Sequence, residues 1–425
     1  MTTTSAPQTA PPPPCEIDAL DPRFYDDPWD AYRWLRRYSP IHWDAKNELW
    51  LISRHADVSH ISRHQELYSA AEGVRPRVAA PMSIISMDDP EHTRQRRIVS
   101  RGFTPAKVRA LTEHIRELSN QIIDDVSQRG ELDFVEDFAI HVPLIVIAEM
   151  MGLDPDQRLR LYQWSDAMMA GDGAVDAEDP VLLRAAEAFG EYAVMCQELI
   201  AERRADPHAR DDIISALTRA FDEGELTRDG RGGAVDVENM PNSELTDDEL
   251  FMFLVLIIVA GNETTRNALT GGLLAFSEFP EQKQRVIDDP SLWDTAVDEI
   301  IRYVSPVLTF CRTVTEDHTY DGVRLEKGQK VFLLYQSANR DEEVFEAPDE
   351  LRVDRNPNPH LAFGIGTHYC MGANLARAEV RVVFEELFKR LADIHVPAGA
   401  PRQRGHSSLV LSLEHLPAVF TPESR

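Results

Sequence analysis

Apolar positions along this chain recur mainly at helical spacing. In "TPAKVRALTEHIRELSNQIIDDVSQRG" the stripe Val108, Leu111, Ile115, Leu118, Ile122 and Val126 falls on one helix face. Thr104 precedes it as an N-cap, Pro105 takes the first helical position and Gly130 supplies a stop. "AEVRVVFEELFKRLADI" repeats the pattern near the C-terminus. In "TDDELFMFLVLIIVAGNETTRNAL", Thr246 and Glu249 have capping-box spacing and predict a helix start. Residues 251–260 are then apolar on every side, which predicts a buried helix. Strand signals are short: "LWLIS" near residue 50, and "HTYDGVRLEKGQKVFLLY", whose Asp321–Gly322 pair predicts a hairpin turn. No repeat period is visible. The acidic, glycine-rich segment 222–245 reads as a surface loop between two helices. The pattern predicts one mainly α domain with small β-sheets over residues 17–425. A Ser-, Thr- and Pro-rich lead over residues 1–16 is expected to be disordered.

Composition narrows the function classes. A chain of 425 residues can bury a large core. Lys and Arg number 44 against 72 Asp and Glu, a formal charge of −28, which repels polyphosphate backbones and argues against nucleic-acid binding. Cys15, Cys196, Cys311 and Cys370 are far apart and form no CxxC pair, so neither a zinc ribbon nor a disulfide framework is supported. A reducing, cytoplasmic setting is expected. The N-terminal stretch has no basic start and no apolar core, so it does not read as a signal peptide. The longest apolar run, ten residues, is too short to span a bilayer.

Candidate chemistry concentrates in three places. In "HLAFGIGTHYCMGANLARAE" (360–379), Gly366 and Gly372 flank Cys370 and a helix follows from Asn374. A thiolate is stabilised by backbone N–H groups at a helix N-terminus. Glycine lets the backbone turn tightly and lets a flat ligand approach. A buried, inert cysteine after a glycine-rich turn is the plainer alternative. In "AGNETT", Asn262, Glu263, Thr264 and Thr265 place polar groups in a buried helix, which is costly unless they are satisfied. Ala260 and Gly261 remove bulk one turn before Thr264, and a helix that merely surfaces at residue 262 is the bland reading. In "DEIIRYVSP", Glu299 and Arg302 share a helix face at i,i+3, which alone indicates a solvated ion pair.

Taken together these segments resemble the cytochromes P450. "FGIGTHYCMG" is similar to the family's haem-binding signature, with Phe363, Gly366, Cys370 and Gly372 on its fixed positions. "AGNETT" matches the oxygen-activation motif and Glu299–Arg302 the ExxR pair. The resemblance covers roughly residue 17 to the end, in the family's order. It implies a P450 fold with haem b between the Ala260–Thr264 helix and the Cys370 helix. Cys370 is then the axial iron ligand, whose electron donation favours O–O cleavage. Phe363, Gly364 and Gly372 contact the cofactor. His92, Arg96, Arg312 and His368 meet the two propionates. Ala260 and Gly261 make room for dioxygen, Thr264 hydrogen-bonds the reacting oxygen, and Glu263 relays protons. Arg355 completes a structural triad with Glu299 and Arg302. Leu256, Val259, Ala260 and Val307 face the substrate.

The resemblance further implies a monooxygenase acting on a bulky hydrophobic molecule: a steroid or sterol side chain, a terpenoid or a fatty-acid derivative. "AGNETTRNAL", "EGVRP" and "NPNPHLAFGIGTHYC" look most like actinobacterial sterol side-chain hydroxylases. The chain shows no GxGxxG after a strand, so NAD(P)H-derived electrons are expected from a separate ferredoxin and its reductase. Arg94, Arg97 and Arg101 are candidates to meet such an acidic partner, and a monomer is expected. Segments 70–85 and 168–183 are the expected lids over the substrate. A hydrogen-peroxide-using peroxygenase and a non-catalytic haem-binding protein are the rivals, and the retained Glu263–Thr264 pair argues against both. The chain has no HExxH and no GxSxG, so zinc and serine hydrolases are not supported.

Overall fold

The computed structural model describes residues 11–77, 83–170, 178–206, 208, 210–219, 245–401, 403–405 and 407–423. Of the expected disordered lead, residues 1–10 lie outside the described residues, while the Pro11 carbonyl accepts a hydrogen bond from Trp34 Nε1. The expected loop 222–245, up to residue 244, and the central parts of the two expected lid segments (78–82 and 171–177) also lie outside them.

Helices dominate the described residues: α1 (Trp29–Tyr38), α2 (His55–Arg63), α3 (Glu91–Val99), α4 (Pro105–Val126), α5 (His141–Met150), α6 (Pro155–Ala170), α7 (Pro180–Ala205), α8 (Ile213–Arg219), α9 (Asp247–Glu278), α10 (Pro280–Asp288), α11 (Trp293–Val304), α12 (Tyr335–Ala338) and α13 (Ala373–Arg390). The strands are β1 (Ile41–Asp44), β2 (Leu49–Ile52), β3 (Tyr68–Ser69), β4 (Glu131–Asp133), β5 (Thr309–Val314), β6 (His318–Tyr320), β7 (Val323–Leu325), β8 (Lys330–Leu334), β9 (Gln403–Arg404), β10 (Leu413–His415) and β11 (Pro417–Val419). Five of them form one sheet in the order β1-β2-β8-β5-β3, with β2 and β8 parallel. The remaining strands pair two by two, β6 with β7, β9 with β10 and β4 with β11.

Local sequence explains the main elements. Thr104 caps α4 by accepting from the Lys107 amide, with Pro105 beginning the helix. The helix ends at Val126, with Ser127 as its C-cap, three residues short of the expected Gly130 stop. In the β6–β7 hairpin Asp321 and Gly322 both take left-handed φ, +47° and +79°, as a two-residue turn of type I′ requires.

α9 organises the molecule. Its capping box is complete: the Glu249 amide donates to Thr246 Oγ1, and the Thr246 amide donates to Glu249 Oε2. The helix runs 32 residues, about 48 Å. Phe253 to Ile258 are buried, and so are Asn262 and Glu263. The helix therefore does not surface at residue 262. α5, α6, α7, α11 and α13 all pack on it, so whatever α9 carries at its midpoint lies inside the fold.

Candidate functional site

The Cys370 segment is a wound loop closed by its own backbone. The Cys370 amide donates to the Phe363 carbonyl at 2.8 Å. Gly364 and Gly366 have φ of +68° and +77°. At Gly366 a Cβ would sit 2.8 Å from the Ser62 carbonyl oxygen on α2, so the turn needs glycine for conformation and for room. A short 3-10 turn, Gly366–His368, leads into Cys370, and α13 starts three residues later. Burial raises the Cys370 thiol pKa. The Gly372 and Ala373 amides hydrogen-bond the sulfur, and with Arg96 and Arg377 nearby they act in the opposite direction. The Cys370 side chain is open although protein surrounds it at depth. A sulfur that is open yet has protein close around it suits a residue that faces a concave site.

Four basic side chains gather beside this loop. His92 of α3 is 1% exposed, and neither ring nitrogen has a hydrogen-bond partner. Its ring centroid is 4.4 Å from that of His368, whose Nε2 is also unpartnered. Burial, then Arg312, His92 and Arg96, depress His368 to about 3. Arg312 is buried on β5 and donates to the Cys311 carbonyl at 2.8 Å. Arg96, one turn after His92, donates to the Tyr369 carbonyl. Two arginines and two imidazoles with orphaned nitrogens form a site for anionic groups.

The midpoint of α9 is open on one face. Ala260 is exposed although the residues on either side include the buried Ile258 and Asn262. Thr264 Oγ1 donates to the Ala260 carbonyl at 2.7 Å. Glu263 is buried and ion-paired with Arg266 through Oε2, while Oε1 has no partner. Burial raises the Glu263 carboxyl, Arg266 lowers it and Asp166 on α6 raises it again. A Cβ at Gly261 would lie 2.7 Å from Ile147 Cδ1 of α5, so its lack of a side chain lets α5 pack close to α9.

Glu299 and Arg302 are not a solvated pair. Both are fully buried. Glu299 accepts from Arg302 Nε at 2.7 Å and Nη2 at 2.9 Å, from Arg355 Nε at 2.9 Å, from the Arg352 amide at 2.8 Å and from Asn358 Nδ2 at 3.2 Å. Arg302 also donates to the Asn339, Pro348 and Glu350 carbonyls. The cluster staples α11 to the segment that leads into the Cys370 loop.

Comparison with known proteins decides the identity. The family model described as Cytochrome P450 matches residues 23–418. The chain belongs to the cytochrome P450 family. A steroid C26-monooxygenase of Mycobacterium tuberculosis is 38% identical over 411 residues, covering 96% of this chain and 98% of that protein. One of Mycolicibacterium smegmatis is 35% identical, covering 96% and 97%. A Bacillus megaterium P450 solved with testosterone matches with a TM-score of 0.82 at 29% identity, covering 94% of this chain and 99% of that one. The protein is accordingly a P450 monooxygenase, an oxidoreductase of single-domain P450 fold that uses haem, dioxygen and reducing electrons. None of the helices among the described residues is long and apolar enough to cross a membrane.

The residues fit haem. An open cysteine held by backbone amides, an open alanine on a buried helix and orphaned imidazole nitrogens beside two arginines are what an iron ligand, an oxygen pocket and two carboxylates need. Among the expected wall residues, Val259 and Val307 are partly buried and Ala260 is open, whereas Leu256 is 8% exposed and closed into the core. Arg94 is not a free surface cation, because it pairs with Glu91 and Glu249. Sequence reasoning missed Arg266, although its i,i+3 spacing from Glu263 was visible. It also missed Asp166 and Arg377, which reach the site from another helix or another turn.

Proposed function

We propose that this P450 hydroxylates the side chain of a steroid at its terminal carbon, C26, with haem b as cofactor and electrons from a ferredoxin and its NAD(P)H-dependent reductase. The observation that carries the substrate is the name shared by mycobacterial relatives that span 96% of this chain. Solved neighbours that bind testosterone or corticosterone support it. The apolar side chains of Val259, Ala260 and Val307 suit a hydrocarbon tail. A Mycobacterium marinum P450 solved with pseudoionone keeps a terpenoid as the second reading.

The geometry supports the following residue roles. Cys370 holds the iron, supported by the Gly372 and Ala373 amides. His92, Arg96, Arg312 and His368 hold the propionates, and Phe363, Gly364 and Gly372 shape the loop against the ring. Haem bound there would supply dioxygen activation. Thr264, whose hydroxyl donates to the Ala260 carbonyl, would offer that hydroxyl as a hydrogen-bond donor beside the bound group. Glu263 holds a proton on its unpartnered Oε1, and Arg266 restrains the other oxygen. Glu299, Arg302 and Arg355 keep the Cys370 segment in place. We place the enzyme in the cytoplasm as a monomer.

The test is a titration of the ferric protein with a panel of steroids, terpenes and fatty acids, followed by product analysis with purified redox partners. A spin-state change with steroids and a terminally hydroxylated product are expected. Product formed with hydrogen peroxide but not with NAD(P)H, redox partners and dioxygen supports a peroxygenase, and binding without any product supports a non-catalytic haem protein. Either outcome overturns the reading.

A further inference from the structure

A cleft of about 790 Å³ lies between the N-terminal segment around Trp29, the last turns of α9 and the strand that carries Leu413. Neither Cys370, Ala260 and Thr264 nor any of the four basic residues beside the cysteine loop lines it. Its volume is that of a small-molecule site. The buried part of its lining is mostly apolar, with Ala275, Val304, Leu411 and Leu413. Two polar side chains are buried there as well. Arg340 is committed: its guanidinium lies 4.0 Å and 4.2 Å from the ring centroids of Trp29 and Tyr303, it donates to the Tyr303 carbonyl, and it pairs with Asp349. Gln336 of α12 is only half committed. It is 3% exposed, and its Nε2 donates to the Val304 carbonyl at 3.1 Å, which leaves Oε1 as an acceptor without a partner. A buried carbonyl oxygen is costly until a donor reaches it.

The charges of the lining select against an anion. Arg23 pairs with Asp21, Arg33 with Asp30 and Asp349, and Arg404 with Asp26, so each arginine already faces a carboxylate. A cation seated against Gln336 would lose its water for a single amide oxygen. A neutral hydroxyl bears neither cost. We propose that this cleft is a second ligand site, separate from the haem chamber, for a neutral apolar compound of steroid size whose hydroxyl donates to Gln336 Oε1. The site adjoins the wall that carries Val307: the Leu411 amide donates to the Pro306 carbonyl at 2.7 Å, and Val307 bridges to Val410.

The experiment is equilibrium dialysis of the ferric holoenzyme saturated with a haem-ligating azole, whose low-spin Soret band reports that the catalytic pocket stays filled. Three labelled probes of similar ring structure are compared: dehydroepiandrosterone, which carries a hydroxyl on its first ring; androstenedione, which carries a ketone there; and dehydroepiandrosterone sulfate, an anion. Dehydroepiandrosterone is expected to bind saturably, one molecule per protein, with the azole band unchanged. Androstenedione is expected to bind about tenfold more weakly, and the sulfate more weakly still. Q336L is expected to remove the preference for the hydroxyl, and L274W, which fills the cleft, to abolish binding. No saturable binding beside the azole, equal affinity for the three probes, or undiminished binding to L274W overturns the proposal. Should Q336L fail to fold, L274W and the ranking of the three probes decide the matter. Because the azole holds the catalytic pocket, the result is independent of which substrate the enzyme oxidises.

Discussion

Arg266 holds Glu263 from one turn further along α9, with both side chains buried and the second carboxylate oxygen left without a partner. The acid of the oxygen motif is thus restrained on one side and available on the other. Removing the cation leaves Glu263 alone at depth. R266Q is expected to lower stability by about 3–5 kcal/mol where Glu263 is ionised. Because burial already raises this carboxyl, the loss grows as pH rises above the ordinary carboxylate range and shrinks below it. Denaturant unfolding at acid and alkaline pH measures the difference. An equal loss at both would contradict the pairing.

Glu299 takes five hydrogen bonds from four residues. E299A leaves Arg302 buried without its carboxylate and frees the Arg352 amide. Loss of about 3–5 kcal/mol and of bound haem is expected, read as urea midpoint and pigment content. A stable, fully pigmented E299A protein with a slow chemical step would place Glu299 in the chemistry instead.

Gly366 and Gly322 share a left-handed φ but differ in surroundings. A Cβ at Gly366 meets the Ser62 carbonyl at 2.8 Å, while one at Gly322 meets nothing within 4 Å. G322A is expected to cost about 1 kcal/mol from backbone strain alone. G366A should cost distinctly more and reduce haem content, because α2 or the loop must move. Equal unfolding midpoints for the two variants would show that the close approach carries no energy.

His92 is buried with no hydrogen bond to either ring nitrogen, and its Nδ1 lies 3.7 Å from Asp89 Oδ1. Without haem that is a burden of about 1–3 kcal/mol. H92L is therefore expected to stabilise the haem-free protein and to weaken haem binding, measured by unfolding and by haem transfer to a scavenger protein. A variant that weakened both would mark His92 as a packing residue.

Thr264 spends its hydroxyl on the Ala260 carbonyl of its own helix, a bond worth little to the fold. T264A is expected to bind substrate as wild type does while diverting NADPH electrons into peroxide or water. Unchanged coupling of electrons to product would remove Thr264 from the proposed proton path.

What the sequence disclosed and what it hid follow a physical line. Elements defined by local rules were legible: the Thr246–Glu249 box, the Thr104–Pro105 start and the Asp321–Gly322 turn each involve residues within a few positions of one another. The Cys370 loop was legible because its glycines answer to backbone geometry. Contacts made across the fold were not. Gly261 faces Ile147 of α5, and Asp166 reaches the Glu263–Arg266 pair from α6. The Glu299–Arg302 pair could not be told from a surface ion pair by spacing, since only the fold shows that it is buried.

The central claim is that Cys370 bonds the haem iron as a thiolate. The direct measurement is the Soret band of the reduced, carbon-monoxide-bound protein, wild type against C370A. The thiolate-type band position is predicted for wild type and its loss for C370A; an identical spectrum in the two proteins, or a wild-type band of the nitrogen-ligated type, would contradict it.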